Sequence, residues 1–389
     1  MTDVFIVSDN ILSPLGRTTA ANFSQLAKGM SGVKKQVDTK MSAQPFYASL
    51  FDREDRFMTD DGGATQTAAG SPGEYTRFER LLIASVRDAV QTGGIDTRDP
   101  KMILIVSSTK GNIDLLGTMD KGERDLFKKR VALYTSADLV AEYFGFVNPP
   151  VVVSTACISG IAAVLTGMRF IRSGRYETAV IAGADTVSRF VLSGFQSFQA
   201  ISPGHCKPFD LARDGINLGE GAGTLVLSSR EKYSGGIKIL SGSISNDANH
   251  LSAPSRTGAE LCASITNALR GGGLSASDVD FISAHGTATI YNDEMEAKAL
   301  TLSNLQSVPV NSLKGYYGHT LGAAGLIETI ISVQSLKKDL VLPTLGFEEM
   351  GVTDPLNICT GLLSAPLKNC LKTASGFGGC NAALVFSKQ

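Results

Sequence analysis

Tryptophan is absent from the chain, only 4 histidines occur in 389 residues, and no two of the 6 cysteines stand at CxxC spacing. Without paired cysteines or a Cys/His run at metal-ligand spacing, neither a disulfide framework nor a zinc module is expected, and no metal site is predicted. Charge of one sign is missing as well. Thirty-six Lys and Arg against 37 Asp and Glu give a formal net charge of −1, which removes any general attraction to nucleic acid or to an anionic membrane. No apolar run free of charges or turn residues reaches the ~20 residues of a membrane span. The opening MTDVFIVSDNILSPLG has no basic start and no long apolar core, so it does not read as a signal peptide. Unpaired thiols in a reducing cytosol are the simplest account, and a cytoplasmic location is expected.

What is present points to a large α/β protein. The chain exceeds the usual size of a single core, so two core units are expected. Forty-one glycines imply tight turns and close backbone packing. Three pairs of segments echo one another in the same order: KMILIVSSTKG (101–111) with DVDFISAHGTA (278–288), the strand-to-helix stretches 151–174 and 308–339, and the closing strands 221–229 and 381–389. A duplicated β-α-β plan follows, with halves at 1–235 and 236–389 joined near Tyr233–Gly236. Helical spacing marks Phe78, Leu81, Leu82, Val86, Ala89 and Val90, and again Leu261, Ile265 and Leu269. The first half has a surplus at about 112–148, read as a surface insertion over the site or at a subunit contact. Residues 59–76 read as a polar, Gly-rich mobile loop.

Chemistry concentrates at the strand ends. Val151–Val153 read as a strand buried on both faces, and Ile161, Val164, Leu165, Met168 and Ile171 then recur at helical spacing. Cys157 lies between, where a helix's unpaired N–H groups favour a thiolate. A buried, inert thiol is the commoner fate of a cysteine on an apolar stretch. His285, in AHGTATIYND, follows a strand; Thr287 and Thr289 alternate beyond it and suit an extended polar ligand, or plain turn chemistry. His319, in SLKGYYGHTLGAAG, occupies the matching edge of the second half, with Lys314 five residues before it. Gly376, Phe377 and Gly378, in GFGGC, form a flexible loop with a backbone N–H for an oxyanion and a side chain able to gate. GEGAG (219–223) feeds a strand and lacks a following Lys-Ser/Thr, so it is not a phosphate loop; Glu220 and Asp214 read as structural or interfacial. Packing the halves pseudo-symmetrically brings Cys157, His285 and His319 together.

As a set, TACISG, CKPFDLARDGINLGEGAGTLVLS, AHGTATIYND, SLKGYYGHTLGAAG and GFGGCNAALVF resemble the β-ketoacyl-acyl carrier protein synthases of the thiolase superfamily, in motif order and along the whole chain. The resemblance implies a five-layered α-β-α-β-α thiolase-like fold, usually a homodimer, and decarboxylative condensation of an acyl chain with malonyl-acyl carrier protein. It implies that Cys157 carries the acyl thioester and that His285 and His319 bind the malonyl thioester carbonyl. Lys314 matches the family's site lysine and Glu296 its acidic partner; Thr287 and Thr289 match pantetheine-binding positions. Phe377 matches the gate, and its N–H with that of Cys157 the oxyanion hole. No cofactor is implied beyond the carrier protein's own phosphopantetheine. Ile290 and Asn292 stand where the family has Pro and Gly, and Ser375 where it commonly has Phe. These departures point to a specialised, polyene- or polyketide-like acyl substrate.

Two rivals remain open at this point: a biosynthetic thiolase acting on acyl-CoA, with Cys380 as second cysteine, and a chain-length-factor subunit paired with a ketosynthase. Asn in place of the second histidine marks the acyl-CoA-primed synthases, so His319 argues against them. Arg77, Arg80, Lys128, Lys129, Arg130 and Lys207 are candidate contacts for an acidic carrier protein.

Overall fold

A computed structural model of the chain describes residues 2–52, 75–117, 129–248 and 254–389. Ten strands form its main sheet: β1 (Phe5–Leu12), β2 (Met102–Ser107), β3 (Val151–Val153), β4 (Thr178–Asp185) and β5 (Gly221–Ser228) in the first half, then β6 (Ile237–Asn246), β7 (Phe281–Ser283), β8 (Val310–Asn311), β9 (Asn369–Gly376) and β10 (Cys380–Lys388) in the second. Their order is β8-β7-β9-β10-β6-β1-β5-β4-β2-β3. Counted from each outer edge inward, the order in the two halves is the same. So are the directions: the outer three strands run parallel and the inner pairings antiparallel. The halves meet at one short antiparallel seam, Phe5 opposite Lys238.

Helices complete five layers. Outside the first half lie α1 (Arg77–Gly93) and α2 (Leu133–Phe144); α3 (Ser159–Arg172) and α7 (Ala324–Lys338) fill the centre; α5 (Ala259–Gly272) and α6 (Ile290–Leu302) cover the second half. A shorter helix, α4 (Arg189–Ser197), stands beside the site. The large apolar cores follow the layering. Leu81, Val86, Leu104 and Val140 belong to the outer core of the first half, and Leu261, Ile265, Ile282 and Leu300 to that of the second. The central core mixes Ile161 and Leu165 with Leu326 and Ile330. α1 begins as its sequence directs, with Thr76 and Glu79 forming a capping box, and ends on Gly94 at φ 58°.

The central helices touch backbone to backbone. A Cβ on Gly160 would stand 2.5 Å from the amide nitrogen of Leu326, and one on Gly325 would stand 2.9 Å from the Ile161 side chain. A second close approach ties the halves at His319. Its N–H donates to the Asn217 carbonyl (2.7 Å) and its carbonyl accepts from Gly219 N–H (3.0 Å). The glycine run after Asn217 therefore serves as a clasp for the second half.

Two expectations are corrected here. Val151–Val153 form the outer edge strand and are each half-buried, because strand order places nothing beyond them among the described residues. The surplus at 112–148 is not only a surface insertion: α2 sends Ala137, Val140 and Ala141 into the outer core. Residues 118–128 and most of the 59–76 loop lie outside the described residues; Thr76 is the cap of α1. No helix among the described residues is long and apolar enough to cross a membrane.

Gly219→Ala would place a Cβ 1.9 Å from the Tyr317 carbonyl oxygen. The clasp must then open, and a loss of about 2–3 kcal/mol in urea unfolding is expected.

Candidate active site

The sequence TACIS makes a tight turn between β3 and α3. Ala156 takes φ 47°, a left-handed conformation that is costly for alanine. Ser159 fixes the turn, accepting from Thr155 N–H (2.8 Å) and donating to the Ala156 carbonyl (2.6 Å). Cys157 is thereby lifted two residues ahead of α3, with 8% of its surface exposed. The exposed part faces a cavity of about 420 Å³ that His285, His319, Thr287, Thr289 and Phe377 also line.

The expected convergence is present. One donor atom each from Cys157, His285 and His319 lie within 4.8 Å of one another, the only such group of three or more His, Cys, Asp or Glu side chains among the described residues. The imidazoles meet edge to face, centroids 5.3 Å apart. Nδ1 of His285 and both ring nitrogens of His319 are buried without a hydrogen-bond partner among the described residues. Buried polar atoms left unpaired mark a site built for something else to bind. Of the other histidines, His205 packs on Tyr47 and His250 lies outside the described residues.

Electrostatics here differ from the expectation of a thiolate. Burial pushes the Cys157 thiol up to about 11, against the pull of the Lys314 ammonium and the Phe377 N–H. Burial likewise holds both imidazoles well below their ordinary value, helped by the Lys314 and Lys372 charges. The resting centre thus carries a thiol and two neutral rings, one of which can take the sulfur's proton as it attacks.

Behind the cavity the His285 loop is gripped from both sides. Glu296 accepts the N–H groups of His285 and Gly286, both at 2.8 Å, and the Thr373 hydroxyl at 2.6 Å. Asp293 accepts those of Thr287 (2.8 Å) and Ala288 (3.1 Å); burial raises it to about 6 despite the Phe209 N–H. Lys314 is fully buried, donates to the His285 carbonyl (3.0 Å) and pairs with Glu328. This corrects its expected partner: Glu296 is engaged by backbone amides, and the carboxylate facing Lys314 comes from α7. Lys372 pairs with the other oxygen of Glu328 at 2.8 Å. Glu328 and Lys372 were not singled out from sequence. The available signal was one acid in the otherwise uncharged AGLIETIISV and one lysine at an inward position of NCLKTASG.

The loop that carries Phe377 lies against the nucleophile. A Cβ on Gly376 would stand 2.9 Å from the Cys157 nitrogen, so only glycine lets this loop reach the nucleophile. Gly378, at φ 85°, has open space around it and supplies the turn. Phe377 is 40% exposed, stacked on Phe195 (5.7 Å) and edge-on to Phe198 (5.6 Å). Thr287 and Thr289, which also line the cavity, have their hydroxyls 2.8 Å apart. Ser375 lines the cavity with its hydroxyl turned to Asn381 (2.7 Å).

Other candidates do not join the site. Glu220 is buried, accepting from Phe51 (3.1 Å), Val187 (3.0 Å) and Arg77 (2.6 Å); Asp214 stands exposed at the cavity rim. Arg77 and Arg130 are structural cations, paired with Glu220 and Glu79, while Lys207 reaches Glu348 only at 3.9 Å. Arg80 donates to the Tyr75 carbonyl (3.0 Å), Lys129 is exposed, and Lys128 lies outside the described residues. The Cys380 thiol accepts from Asn246 at 3.7 Å and does not line the cavity, unlike a second catalytic cysteine.

Comparison with known proteins bears on this geometry. Residues 1–233 match the family described as Beta-ketoacyl synthase, N-terminal domain, and residues 238–348 the corresponding C-terminal domain. The chain is 28% identical over 415 residues to 3-oxoacyl-[acyl-carrier-protein] synthase 2 of Vibrio harveyi, covering 99% of this chain and 98% of the relative. It is 26% identical over 430 residues to a putative mitochondrial 3-oxoacyl-[acyl-carrier-protein] synthase of Schizosaccharomyces pombe, covering 100% and 99%. It superposes on the ishigamide ketosynthase/chain length factor with a TM-score of 0.89 at 26% identity, covering 100% and 99%. On the ketosynthase ApeO in complex with its chain length factor ApeC from Xenorhabdus doucetiae the TM-score is 0.83 at 25% identity, covering 100% and 98%.

Two outcomes are expected. Alkylation of Cys157 by iodoacetamide, followed by intact mass, should rise about tenfold per pH unit between roughly pH 7 and 9 without a plateau; a plateau near neutrality would restore the thiolate. Glu328→Ala leaves two buried ammonium groups facing each other, and should cost about 3–5 kcal/mol in denaturant unfolding.

Proposed function

The chain belongs to the beta-ketoacyl synthase family, and from that premise we propose that it joins an acyl chain held on Cys157 to the two-carbon unit of a malonyl thioester. The observation that carries this reading is the sulfur and two neutral imidazoles sharing one cavity, with Nδ1 of His285 and both ring nitrogens of His319 otherwise unpaired among the described residues. An acyl group first passes from its carrier to Cys157; the sulfur's proton goes by way of a neighbouring imidazole to the departing carrier sulfur, which leaves as the thiol, and both rings are neutral again. The malonyl thioester carbonyl then takes hydrogen bonds from His285 and His319. Loss of CO₂ breaks one carbon–carbon bond and leaves an enolate, whose oxygen those donors stabilise in a buried setting. The enolate carbon attacks the Cys157 thioester, and the N–H groups of Cys157 and Phe377 receive the tetrahedral oxyanion. Collapse forms the 3-oxoacyl thioester and breaks the carbon–sulfur bond, and the Cys157 thiolate released takes up a proton from solvent through a neighbouring imidazole. The sequence needs neither metal nor redox cofactor.

The carrier is proposed to be acyl carrier protein, for which the relatives are named. The cavity supports this: it is lined by the hydroxyl-bearing Thr287 and Thr289 and by the rings of Phe195, Phe198 and Tyr291, suiting a pantetheine arm with spaced amides. Ser375 leaves room beside the sulfur, which supports a specialised acyl chain. Pairing with a second copy, or with a ketosynthase-like sister, is proposed from the assemblies named among the structural neighbours. The presence of Cys157 favours the catalytic role over a silent chain-length factor. All six cysteines are unpaired, which suits the cytoplasm.

With malonyl-acyl carrier protein and an acyl donor, the purified protein should release CO₂ and form 3-oxoacyl-acyl carrier protein. Cys157→Ala should form none, and His285→Ala or His319→Ala should slow CO₂ release by about 10²–10³-fold. Turnover of acyl-CoA without malonyl would establish the thiolase reading instead; turnover only after adding a second subunit would make the chain one member of a heterodimer.

A further inference from the structure

β9 threads between two carboxylates, and its alternation sends successive side chains to each. Thr373 points outward to Glu296; Lys372 points into the central layer, where it pairs with Glu328 at 2.8 Å and donates to the carbonyls of Ser283 and Ala284, both at 3.1 Å. Lys314 takes the next carbonyl, that of His285, at 3.0 Å. Three consecutive carbonyls leading into the His285 imidazole are therefore each capped by a fully buried ammonium. Backbone anchoring alone needs only a neutral donor, and burying a second lysine is expensive. What a charge adds is a field at the imidazoles, and Lys372 contributes to it at both rings.

We propose that Lys372 is a second positioning cation of the reaction centre, fixing the His285 loop and, with Lys314, supplying the positive potential under which both imidazoles stay uncharged and the enolate forms. This rests on the condensation reading above. The charged and titratable groups packed around the two histidine loops and the sulfur are Lys314 from the turn before His319, Glu328 from α7, Lys372 from β9, Glu296 and Asp293 from α6, the Cys157 thiol ahead of α3, and Asp185 at the end of β4, which accepts from Gly322 N–H at 2.7 Å. Removing one cation from this set raises the affinity of both rings for a proton. The acid limb of any step that needs them neutral therefore moves to higher pH.

Lys372→Met tests this in the full-length protein. CO₂ release from malonyl-acyl carrier protein is followed across pH, and acyl loading of Cys157 is followed separately by intact mass. The acid limb of CO₂ release should rise by about one pH unit and its plateau fall about tenfold, while loading, compared at a pH above that limb where the rings are neutral in both proteins, changes less than about twofold. Lys372→Arg, which keeps the charge, should keep the wild-type limb even where its plateau falls; Lys372→Gln replaces Met if that variant does not fold. An unmoved limb with CO₂ release and loading falling in proportion would make Lys372 merely structural and overturn the proposal. NMR titration of the labelled His285 and His319 rings, in wild type and variant, reads the same shift without substrate. A wild type that releases no CO₂ would sink the condensation reading, whereas unshifted ring titrations would sink this one.

Discussion

The two central helices approach until backbone meets backbone, and that contact governs the rest. Gly160 packs on Leu326 and Gly325 on Ile161 across it, and a methyl group on either would drive α3 and α7 apart. Both helices begin just beyond a reactive residue, so their separation sets the distance from sulfur to imidazole. At the separation observed, three donor atoms share a space 4.8 Å across. The same closeness removes water, and removal of water explains the protonation pattern. A thiol and two imidazoles in a dry wall all favour their neutral forms.

Charge enters this dry centre only under strict pairing. Lys314 and Lys372 divide the two oxygens of Glu328, while Glu296 on the far side of β9 is saturated by amides and a hydroxyl. Such an arrangement stabilises little relative to an apolar core of equal shape. It gives direction instead: carbonyls, amides and ammonium groups are locked around one loop, and the ring of His285 has little freedom left. Preorganised dipoles of this kind are effective because they need no rearrangement while charge develops.

Much of this was legible in the chain. Cys157 announced itself by standing between a valine run and a helical repeat, His319 by occupying the corresponding place in the second half, and His285 by following a strand. Echoing segments predicted two halves, and the sheet repeats one strand order. What failed did so for identifiable reasons. The thiolate expectation counted the helix start and not the burial. Val151–Val153 looked enclosed because three valines do not reveal which strand is last in a sheet. Arg77 and Arg130 looked like free surface charge because their partners, Glu220 and Glu79, lie 143 and 51 residues away. Glu296 and Glu328 both sit on helices near a lysine in space, and only the fold says which carboxylate turns toward it.

The duplicated strand order carries one more consequence. Cys157 follows β3 and His319 follows β8, the third strand of each half. Two identical chains related by a symmetry axis must present the same residue at both of these places, two sulfurs or two rings. A nucleophile opposite a proton acceptor requires the partners to differ. Joining the halves in one polypeptide breaks that equality, and the asymmetry it permits is what lets a near-symmetric scaffold hold unlike groups across its own axis.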